Sequence, residues 1–251
     1  MIPKIFYILY RLSVSLYRRL RIFFKKLSGY EPNIRIHNHR NLVYFGNYGY
    51  GGWAIPYEVI SCDSVVVDVG LGEDISFSES LLKEYQCVIH GFDPTPRAIE
   101  FVRGKALDNF FLYEFGLAGS NRKAKFFLPN NQDHVSGSVA KCNHVGDCSI
   151  EVRVIDIYSL MSIIGVDHID LLKIDIEGAE YELLMSAPFS ESARHIRILC
   201  IEFHHRWKEF GVDSTRKAVT ILSELGFECV WQSRETNEEF TFLNTRFIVP
   251  R

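Results

Sequence analysis

Beyond residue 63, short uninterrupted apolar runs alternate with stretches of helical periodicity. The apolar runs have the length and content of strands buried on both faces, and they span residues 64–69, 87–92, 110–115, 169–174 and 196–203. The helical stretches between them span residues 75–84, 97–103, 155–164 and 179–187. Buried strands joined by helical crossovers predict an α/β fold with a mostly parallel sheet and helices on both faces.

Other parts of the pattern predict shorter elements around this sheet. Residues 123–128 (KAKFFL) and 149–155 (SIEVRVI) resemble additional strands between the third and fourth strands of the sheet. Residues 227–233 and 238–250 suit a closing antiparallel hairpin. The stretch NYGYGGWAIP, residues 47–56, is rich in glycine and aromatic residues and predicts a loop.

Residues 1–30 predict a basic amphipathic helix that extends a single domain over residues 31–251. Residues 1–28 contain seven Lys and Arg and no acid, so subtracting this +7 from the chain's net charge of −3 leaves −10 on the remainder. Their longest uncharged runs are six residues long. Such runs are too short for a membrane span of about 20 residues or a signal core of about 7–15.

Two interpretations of this helix remain open. Cations recur every seven residues, at Lys4, Arg11, Arg18 and Lys25, and this spacing places them on one helix face. Leucine and aromatic residues fill much of the rest, which is typical of an interfacial membrane helix. The same pattern suits a helix packed on its own domain or on a second subunit. The expected location is cytoplasmic, either free or peripheral at the inner face of a membrane.

Composition narrows the class of protein. With 47% hydrophobic and 24% charged residues the chain can bury a sizeable core, and its net charge gives no support to a nucleic-acid partner. The six cysteines include no CxxC pair and are expected to be buried free thiols in a reducing compartment. The set His134, Cys142, His144 and Cys148 fits no common zinc spacing, so no metal is expected there.

The turn after the first strand, in DVGLGEDISF, is the first candidate binding element. Ligands of open parallel sheets lie beyond the carboxyl ends of the strands, near the point where the strand order reverses. Gly70 and Gly72 permit a ligand to approach the backbone closely. A dinucleotide motif would place a third glycine at position 75, where this chain has Ile75. Asp68 would repel a phosphate but suits the ammonium group of an amino-acid-like ligand.

Asp93 ends the second strand, in HGFDPTP, and could accept both hydroxyls of a ribose. Together with Asp68 and the two-glycine turn, it indicates S-adenosylmethionine as the cofactor in preference to NAD. A NAD-dependent oxidoreductase is the less favoured alternative. Each acid also has a purely structural alternative. Asp68 could be a capping residue, and Asp93 could form a turn with Pro94.

Five motifs occur in order and carry a family resemblance: DVGLGEDISF, GFDPTPRAIEFV, EFGLAG, LLKIDIEGAEYELL and ILCIEFHH. Over roughly residues 46–203 the chain resembles the FkbM family of S-adenosylmethionine-dependent methyltransferases. The resemblance implies the Rossmann-like class I methyltransferase fold, a seven-stranded sheet with one antiparallel strand. It implies O-methylation of a sugar, glycan or other small molecule. A non-catalytic cofactor-binding or membrane-tethered scaffold on the same fold is the alternative.

The end of the fourth strand, in LLKIDIEGAE, provides candidate catalytic residues. Lys173, Asp175 and Glu177 alternate, so a strand would direct all three to one side. Asp175 or Glu177 could take the acceptor proton while Lys173 orients one of them. The alternative is an internal ion pair, with Glu177 or Glu180 serving the start of the next helix.

The end of the fifth strand, in IEFHH, reaches the same edge of the sheet. Consecutive histidines point to different sides of a strand, so at most one of His204 and His205 is expected to face the pocket. His204 is the alternative base, because histidine titrates near neutral pH. Glu202, His204 and Asp175 could also hold a divalent metal, but nothing in their spacing requires one, and no metal is predicted.

Loops provide further expected contacts. Gly51 lies against the cofactor, with Trp53 or Tyr50 as its cover. At the end of the third strand, where adenine usually lies in this fold, Phe115 packs on the base and Glu114 accepts from its amino group. Ordinary packing is an equally common role for loop aromatics.

Residues 130–139 (NNQDHVSGSV) predict an inserted loop between the additional strands. This loop could cover the acceptor. Ser136 and Ser138 would be its polar contacts.

Overall fold

The computed structural model describes residues 4–129, 137–139 and 145–249. Its strands are β1 (Leu42–Phe45), β2 (Trp53–Pro56), β3 (Val65–Val69), β4 (Val88–Phe92), β5 (Phe110–Tyr113), β6 (Gly116–Leu117), β7 (Arg122–Pro129), β8 (Val145–Ile155), β9 (Ile169–Ile174), β10 (Ile196–Glu202), β11 (Phe227–Gln232) and β12 (Glu239–Asn244). Its α-helices are α1 (Lys4–Leu27), α2 (Ser76–Tyr85), α3 (Pro96–Lys105), α4 (Ile157–Ile164), α5 (Glu180–Leu184), α6 (Ala187–Ser192) and α7 (Gly211–Glu224).

The central sheet has seven strands in the order β11-β12-β10-β9-β3-β4-β5. Neighbouring strands from β10 to β5 are parallel, whereas β12 runs antiparallel to both β10 and β11. The predicted fold is therefore confirmed: a mostly parallel seven-stranded sheet closed by an antiparallel hairpin. The strand order reverses between β3 and β9, which opens a cleft at their carboxyl ends.

Two apolar cores cover the sheet, and the strand sequences explain why. Successive side chains of a strand point to opposite faces. In β9, Leu171 joins Trp53 and Phe77 in the core on one face, whereas Leu172 joins Phe189 in the core on the other. Each fully buried side chain of this kind stabilises the fold by about 1.5–3 kcal/mol. Because both faces are covered, the functional side chains lie at the strand ends.

Two predicted strand assignments need correction. The run over residues 110–115 is divided: β5 ends at Tyr113, and Gly116 begins β6, which belongs to a separate three-stranded sheet with β7 and β8. The predicted loop over residues 47–56 contains β2, which pairs with β1 in an antiparallel hairpin. In both places short local pairings, rather than the hydrophobic pattern, decide where the strand lies.

Two of the described helices, α4 and α6, begin at a capping side chain rather than where the apolar pattern does. Asp156 accepts a hydrogen bond from the Ser159 backbone N–H, so α4 begins at Ile157. The predicted helix over residues 179–187 is two helices, because Ser186 caps a new helix with Pro188 in its first turn. Helix α7 was not predicted.

Helix α1 contacts the domain along one face. Ser15 Oγ donates to Glu235 Oε1 at 2.7 Å, and Arg19 lies 3.1 Å from the same oxygen. Lys26 Nζ donates to Gln232 Oε1 at 3.1 Å. Among the helices of the described ranges, none has the length and hydropathy needed to span a bilayer.

Candidate active site

A cavity of about 840 Å³ opens at the carboxyl ends of β3, β4, β9 and β10. It includes the point where the strand order reverses, which is the usual ligand site of open α/β sheets. Acidic side chains dominate its charged lining, among them Asp68, Asp93, Asp175, Glu177, Glu202, Glu238 and Glu239. Such a wall favours a cationic ligand and disfavours a polyphosphate.

Two glycines bring the backbone after β3 to the cavity. Gly70 has a φ of +81°, and a Cβ there would lie 1.6 Å from the backbone oxygen of Asp175, so a larger residue cannot fit. Gly72 has a φ of +52°, and a Cβ there would project into open space. Packing against the end of β9 thus requires the first glycine, whereas the second leaves room beside the cavity that both line.

Asp93 holds this turn in place. Its Oδ2 accepts from the backbone N–H of Leu71 at 2.9 Å and of Gly72 at 3.1 Å. Its Oδ1 accepts from the N–H and the hydroxyl of Thr95 at 2.8 and 2.6 Å. Four bonds use the acceptor capacity of a carboxylate. The predicted contact with ribose hydroxyls therefore requires Asp93 to exchange at least one of these bonds.

Asp68 and Lys173 form a buried ion pair in the cavity wall. The two residues are neighbours in the β3–β9 register, with Lys173 Nζ 3.1 Å from Asp68 Oδ1. Lys173 also donates to the Gly70 carbonyl at 2.6 Å. Burial lowers the pKa of Lys173, but the charges of Asp68 and Asp175 and the hydrogen bond to Asp68 together outweigh it, and the net shift is upward. Lys173 thus holds the glycine turn, and its charge also acts on Asp175 beyond the end of β9, where it lowers the pKa of that carboxyl against the effect of burial.

Three predicted catalytic residues meet beyond the ends of β9 and β10. His204 Nε2 lies 3.0 Å from Glu177 Oε2 and 3.9 Å from Asp175 Oδ1. On the other side of the ring, Nδ1 lies 3.0 Å from Glu180 Oε1, which also accepts from the His204 backbone N–H at 3.1 Å. Glu180 is fully buried, so it fixes the direction in which the imidazole faces.

The turn after β9 holds Glu177 in an uncommon conformation. Glu177 has a φ of +51°, and a left-handed backbone at a residue other than glycine costs on the order of 1–3 kcal/mol. The surroundings stabilise it: Ser138 Oγ donates to the Glu177 carbonyl, and the Gly178 N–H donates to Glu180 Oε2 at 2.8 Å. Glu180, and not Glu177, therefore serves the start of α5.

The charges of the cluster suit proton transfer near neutral pH. Burial lowers the pKa of His204, but Glu180 and Glu177 raise it more, and the result is well above the usual histidine value. Burial raises the pKa of Asp175 to about 6. Burial and the charge of Asp175 raise the pKa of Glu202 well above its usual value. At neutral pH the cluster therefore combines an imidazolium with an ionised Asp175.

Two predicted adenine contacts lie away from the cavity. Glu114 is exposed and pairs with Arg103, and the Phe115 ring lies 5.2 Å from the guanidinium carbon of Arg153. Both predictions placed these residues at a strand end, but β5 already ends at Tyr113 and the chain turns before them.

Of the loop residues predicted to cover the cofactor, two line the cavity and one does not. Gly51 and Tyr50 form part of its wall. Trp53 is fully buried in β2, edge-on to Phe77 at 5.4 Å between ring centroids, with Lys173 Nζ 5.4 Å from its ring. The correction follows from the β1–β2 pairing, which directs Trp53 into the core.

Several cavity residues carried no signal in the sequence. The connection between β11 and β12 contributes Thr236 and Glu238, and the first residue of β12 contributes Glu239, whose pKa burial raises to about 7. Trp207 also lines the cavity and lies 4.8 Å from the His204 ring. These positions lie in or beside loops, and only the folded chain brings them to the strand ends.

Other predicted residues lie outside the site or outside the described residues. His204 lines the cavity, whereas His205 is not part of its lining and lies 2.9 Å from Glu31. Both histidines follow the end of β10, so strand alternation is not the cause of this difference. Cys148 is exposed, and so is Cys62, which corrects the expectation of burial. The predicted positions outside the described residues are Ser136, His134, Cys142 and His144.

Residues 62–229 match the family model of the methyltransferase FkbM domain, which covers more than half of the chain. The chain belongs to the FkbM methyltransferase family. Its cofactor is S-adenosyl-L-methionine, and its chemistry is methyl transfer, as the resemblance implied.

A curated relative and two solved structures are similar to this FkbM protein. The 2-O-methyltransferase NoeI of Sinorhizobium fredii (strain NBRC 101917 / NGR234) is 26% identical over 191 residues, 69% of this chain and 71% of the relative. A Methanococcus jannaschii fibrillarin pre-rRNA processing protein is 14% identical with a TM-score of 0.43, over 73% of this chain and 67% of that one. Aeropyrum pernix fibrillarin is 12% identical with a TM-score of 0.40, over 75% and 68%. The fold assignment rests on the strand order itself.

The cavity of this FkbM protein suits its cofactor. Gly72 leaves open space beside the backbone, and the acidic wall complements a sulfonium and an ammonium group. Of the residues predicted to bind the cofactor, Gly70, Gly72, Asp93 and Gly51 line this cavity. Bound there, it supplies an electrophilic methyl group.

The carboxylate–histidine cluster could also hold a divalent cation. Asp175, Glu177 and His204 each offer a ligand atom, and these atoms lie within 4.8 Å of one another. The alternative metal set considered from the sequence contained Glu202 in place of Glu177. The folded chain brings Glu177 into the group because the turn after β9 directs its side chain at His204.

Proposed function

We propose that this enzyme methylates a hydroxyl group of a sugar, a glycan or another small polar molecule. The observation that carries the proposal is the cluster of Asp175, Glu177 and His204 at the cavity wall. A hydroxyl acceptor loses its proton during methyl transfer, and this cluster offers groups that can take it. The relative NoeI is named a 2-O-methyltransferase, which supports oxygen as the methylated atom.

In the proposed reaction, Asp175 accepts the hydroxyl proton. Its pKa of about 6 leaves it ionised at neutral pH, yet close enough to that pH for efficient proton transfer. The His204 imidazolium, held by Glu180, neutralises Glu177 and keeps it beside Asp175. The buried walls position the acceptor oxygen for in-line attack, which is the main requirement of methyl transfer.

The direct test is methyl transfer to fractions of a cell extract. Incubation with S-adenosyl-L-methionine carrying a deuterated methyl group is expected to shift the mass of one fraction, with the label on oxygen. A label on nitrogen would overturn O-methylation. Tight binding of S-adenosylhomocysteine with no methylated product from any fraction would favour a non-catalytic scaffold. Tight binding of NAD and no binding of S-adenosylhomocysteine would favour an oxidoreductase.

Asp93→Ala is expected to weaken S-adenosylhomocysteine binding about ten- to a hundredfold. The variant loses a charged hydrogen-bond acceptor, and hydrogen bonds to a charged group are worth about 1.5–3 kcal/mol. The lost donors are the ribose hydroxyls or the backbone N–H groups of the turn that forms the site. Calorimetry measures the affinity. Asp213→Ala, which removes an aspartate that is 92% exposed, is the matched control. An unchanged affinity in Asp93→Ala would exclude Asp93 from cofactor binding.

We further propose that the enzyme works peripherally at the inner face of a membrane, near a lipid-linked or membrane-assembled acceptor. The support is the charge of residues 1–28, which contain seven cations and no acid, while the rest of the chain is acidic. Cations next to an anionic bilayer surface contribute about 1 kcal/mol each.

A further inference from the structure

Helix α1 presents an exposed apolar face. Its outward side chains are 49–71% exposed and follow each other at spacings of three, four or one residue: Leu16, Leu20, Phe23, Phe24 and Leu27. This spacing places them along one side of the helix. A face of large apolar side chains left open to water marks a surface that something covers.

Contacts with the domain hold α1 on another side, so its apolar face points outward. Ser15 and Arg19 both bond to Glu235, and Lys26 bonds to Gln232. At the end of the helix, Lys25 Nζ lies 3.6 Å from the buried carboxylate of Glu31. The helix is fixed by polar contacts on one side and exposes its apolar side.

We propose that this apolar face binds an anionic membrane surface, with the helix lying in the plane of the interface. Residues 1–28 have no acid to repel anionic lipid. By helical spacing, Arg21 flanks one edge of the apolar face, where an arginine reaches the headgroups of an interfacial helix, whereas Arg19 at the other edge is paired with Glu235. A second copy of this chain fits less well, because apolar faces paired in a dimer would bring two strongly cationic helices together.

The position of α1 gives this contact a functional consequence, which rests on the proposed function. Glu235 precedes Thr236, and Tyr48 lies between Asn47 and Gly49; all three neighbours line the cavity. Arg19 Nη2 lies 3.5 Å from Tyr48 Oη. Helix α1 therefore runs beside the rim of the cavity. A bilayer that covers its apolar face comes next to that rim, where a lipid-linked acceptor would present its hydroxyl.

Sedimentation of the full-length protein with vesicles tests the surface. Vesicles with about one third phosphatidylserine in phosphatidylcholine are expected to bind the protein, and added salt should weaken binding. The double variant Phe23→Ser, Phe24→Ser should lose about a hundredfold in vesicle affinity, because two rings no longer leave water. Phe111→Ser is the matched control, since Phe111 is 53% exposed on β5.

The same variants separate the possible occupants of the face. Unchanged vesicle affinity in the double variant would overturn the proposal. The proposal would also be overturned if the wild type is a dimer that binds no vesicles and the double variant is a monomer, as detected by light scattering. Calorimetry should give wild-type affinity for S-adenosylhomocysteine in every variant, which shows an intact fold. Because sedimentation requires no acceptor, failure to find a methylated product would count against the proposed function and leave the membrane surface standing.

Discussion

His204→Ala and Asp175→Asn are each expected to lower methyl transfer by about 10²–10⁴-fold, the usual loss when a general base is disabled. Asp175→Asn removes the proton acceptor itself. His204→Ala removes the cation that lies 3.0 Å from both Glu177 and Glu180, so the buried Glu180 and the half-buried Glu177 lose this contact. Neither change touches the glycine turn, so the affinity for S-adenosylhomocysteine should stay near that of the wild type. Turnover of the labelled acceptor and calorimetry measure the two quantities.

The pH dependence distinguishes the roles of these two residues. Asp175 acts as a base when ionised, and burial raises its pKa to about 6, so kcat/KM should rise with pH through about 6 and then level. Asp175→Asn should abolish that rise. His37→Ala is the control for the loss of an imidazole, because His37 pairs with Glu228 at the surface. The turnover of the His37→Ala variant should equal that of the wild type. An acid limb that persists in Asp175→Asn would assign the base to another group.

The sequence predicted the fold well because the parallel strands are buried on both faces and appear as unbroken apolar runs. β9 is one example: all six of its residues are buried. The pattern did not predict β2, whose residues lie in a glycine-rich stretch and form a strand only through pairing with β1. It also failed at the end of β5, where the apolar run continues past the point at which the strand leaves the sheet.

The site could be predicted only where a strand end defined it. Asp175, Glu177 and His204 directly follow strands that meet at one edge, so the topology was enough to bring them together. The ion pair between Lys173 and Asp68 was not predicted, because the two residues are 105 positions apart in the sequence. The cavity residues between β11 and β12 also depend on contacts between residues far apart in the sequence. The same is true of the buried contacts of Glu31. The local pattern of hydrophobic and polar residues carries no information about such contacts.

Glu31 makes the longest-range of these contacts, and Glu31→Ala is expected to destabilise the protein by about 3–5 kcal/mol. The fully buried carboxylate lies 2.9 Å from both His205 Nε2 and Arg206, and Asn237 donates to it at 2.8 Å. Removing one partner of a buried ionic network leaves the others without compensation. Urea unfolding at neutral pH measures the loss.

The matched control for this change is an exposed pair of the same chemistry. Glu228 Oε2 lies 3.2 Å from His37 Nδ1, and its side chain is 46% exposed. Exposed ion pairs contribute about 0–1 kcal/mol, so Glu228→Ala should have little effect. Equal losses in the two variants would mean that Glu31 stabilises the fold no more than a surface pair does.

The stabilisation from Glu31 should also depend on pH in a defined direction. Burial would raise the pKa of Glu31, but the hydrogen bond with His205 and the charge of Arg206 outweigh it and lower the pKa to about 2. A carboxylate with a depressed pKa gives its full stabilisation above its unfolded pKa and loses it as the pH falls towards the folded value. The difference in stability between wild type and Glu31→Gln should therefore be constant from pH 7 to about 5 and shrink below about 4.5. A difference that does not change down to pH 3 would show that Glu31 acts through its shape and not through its charge.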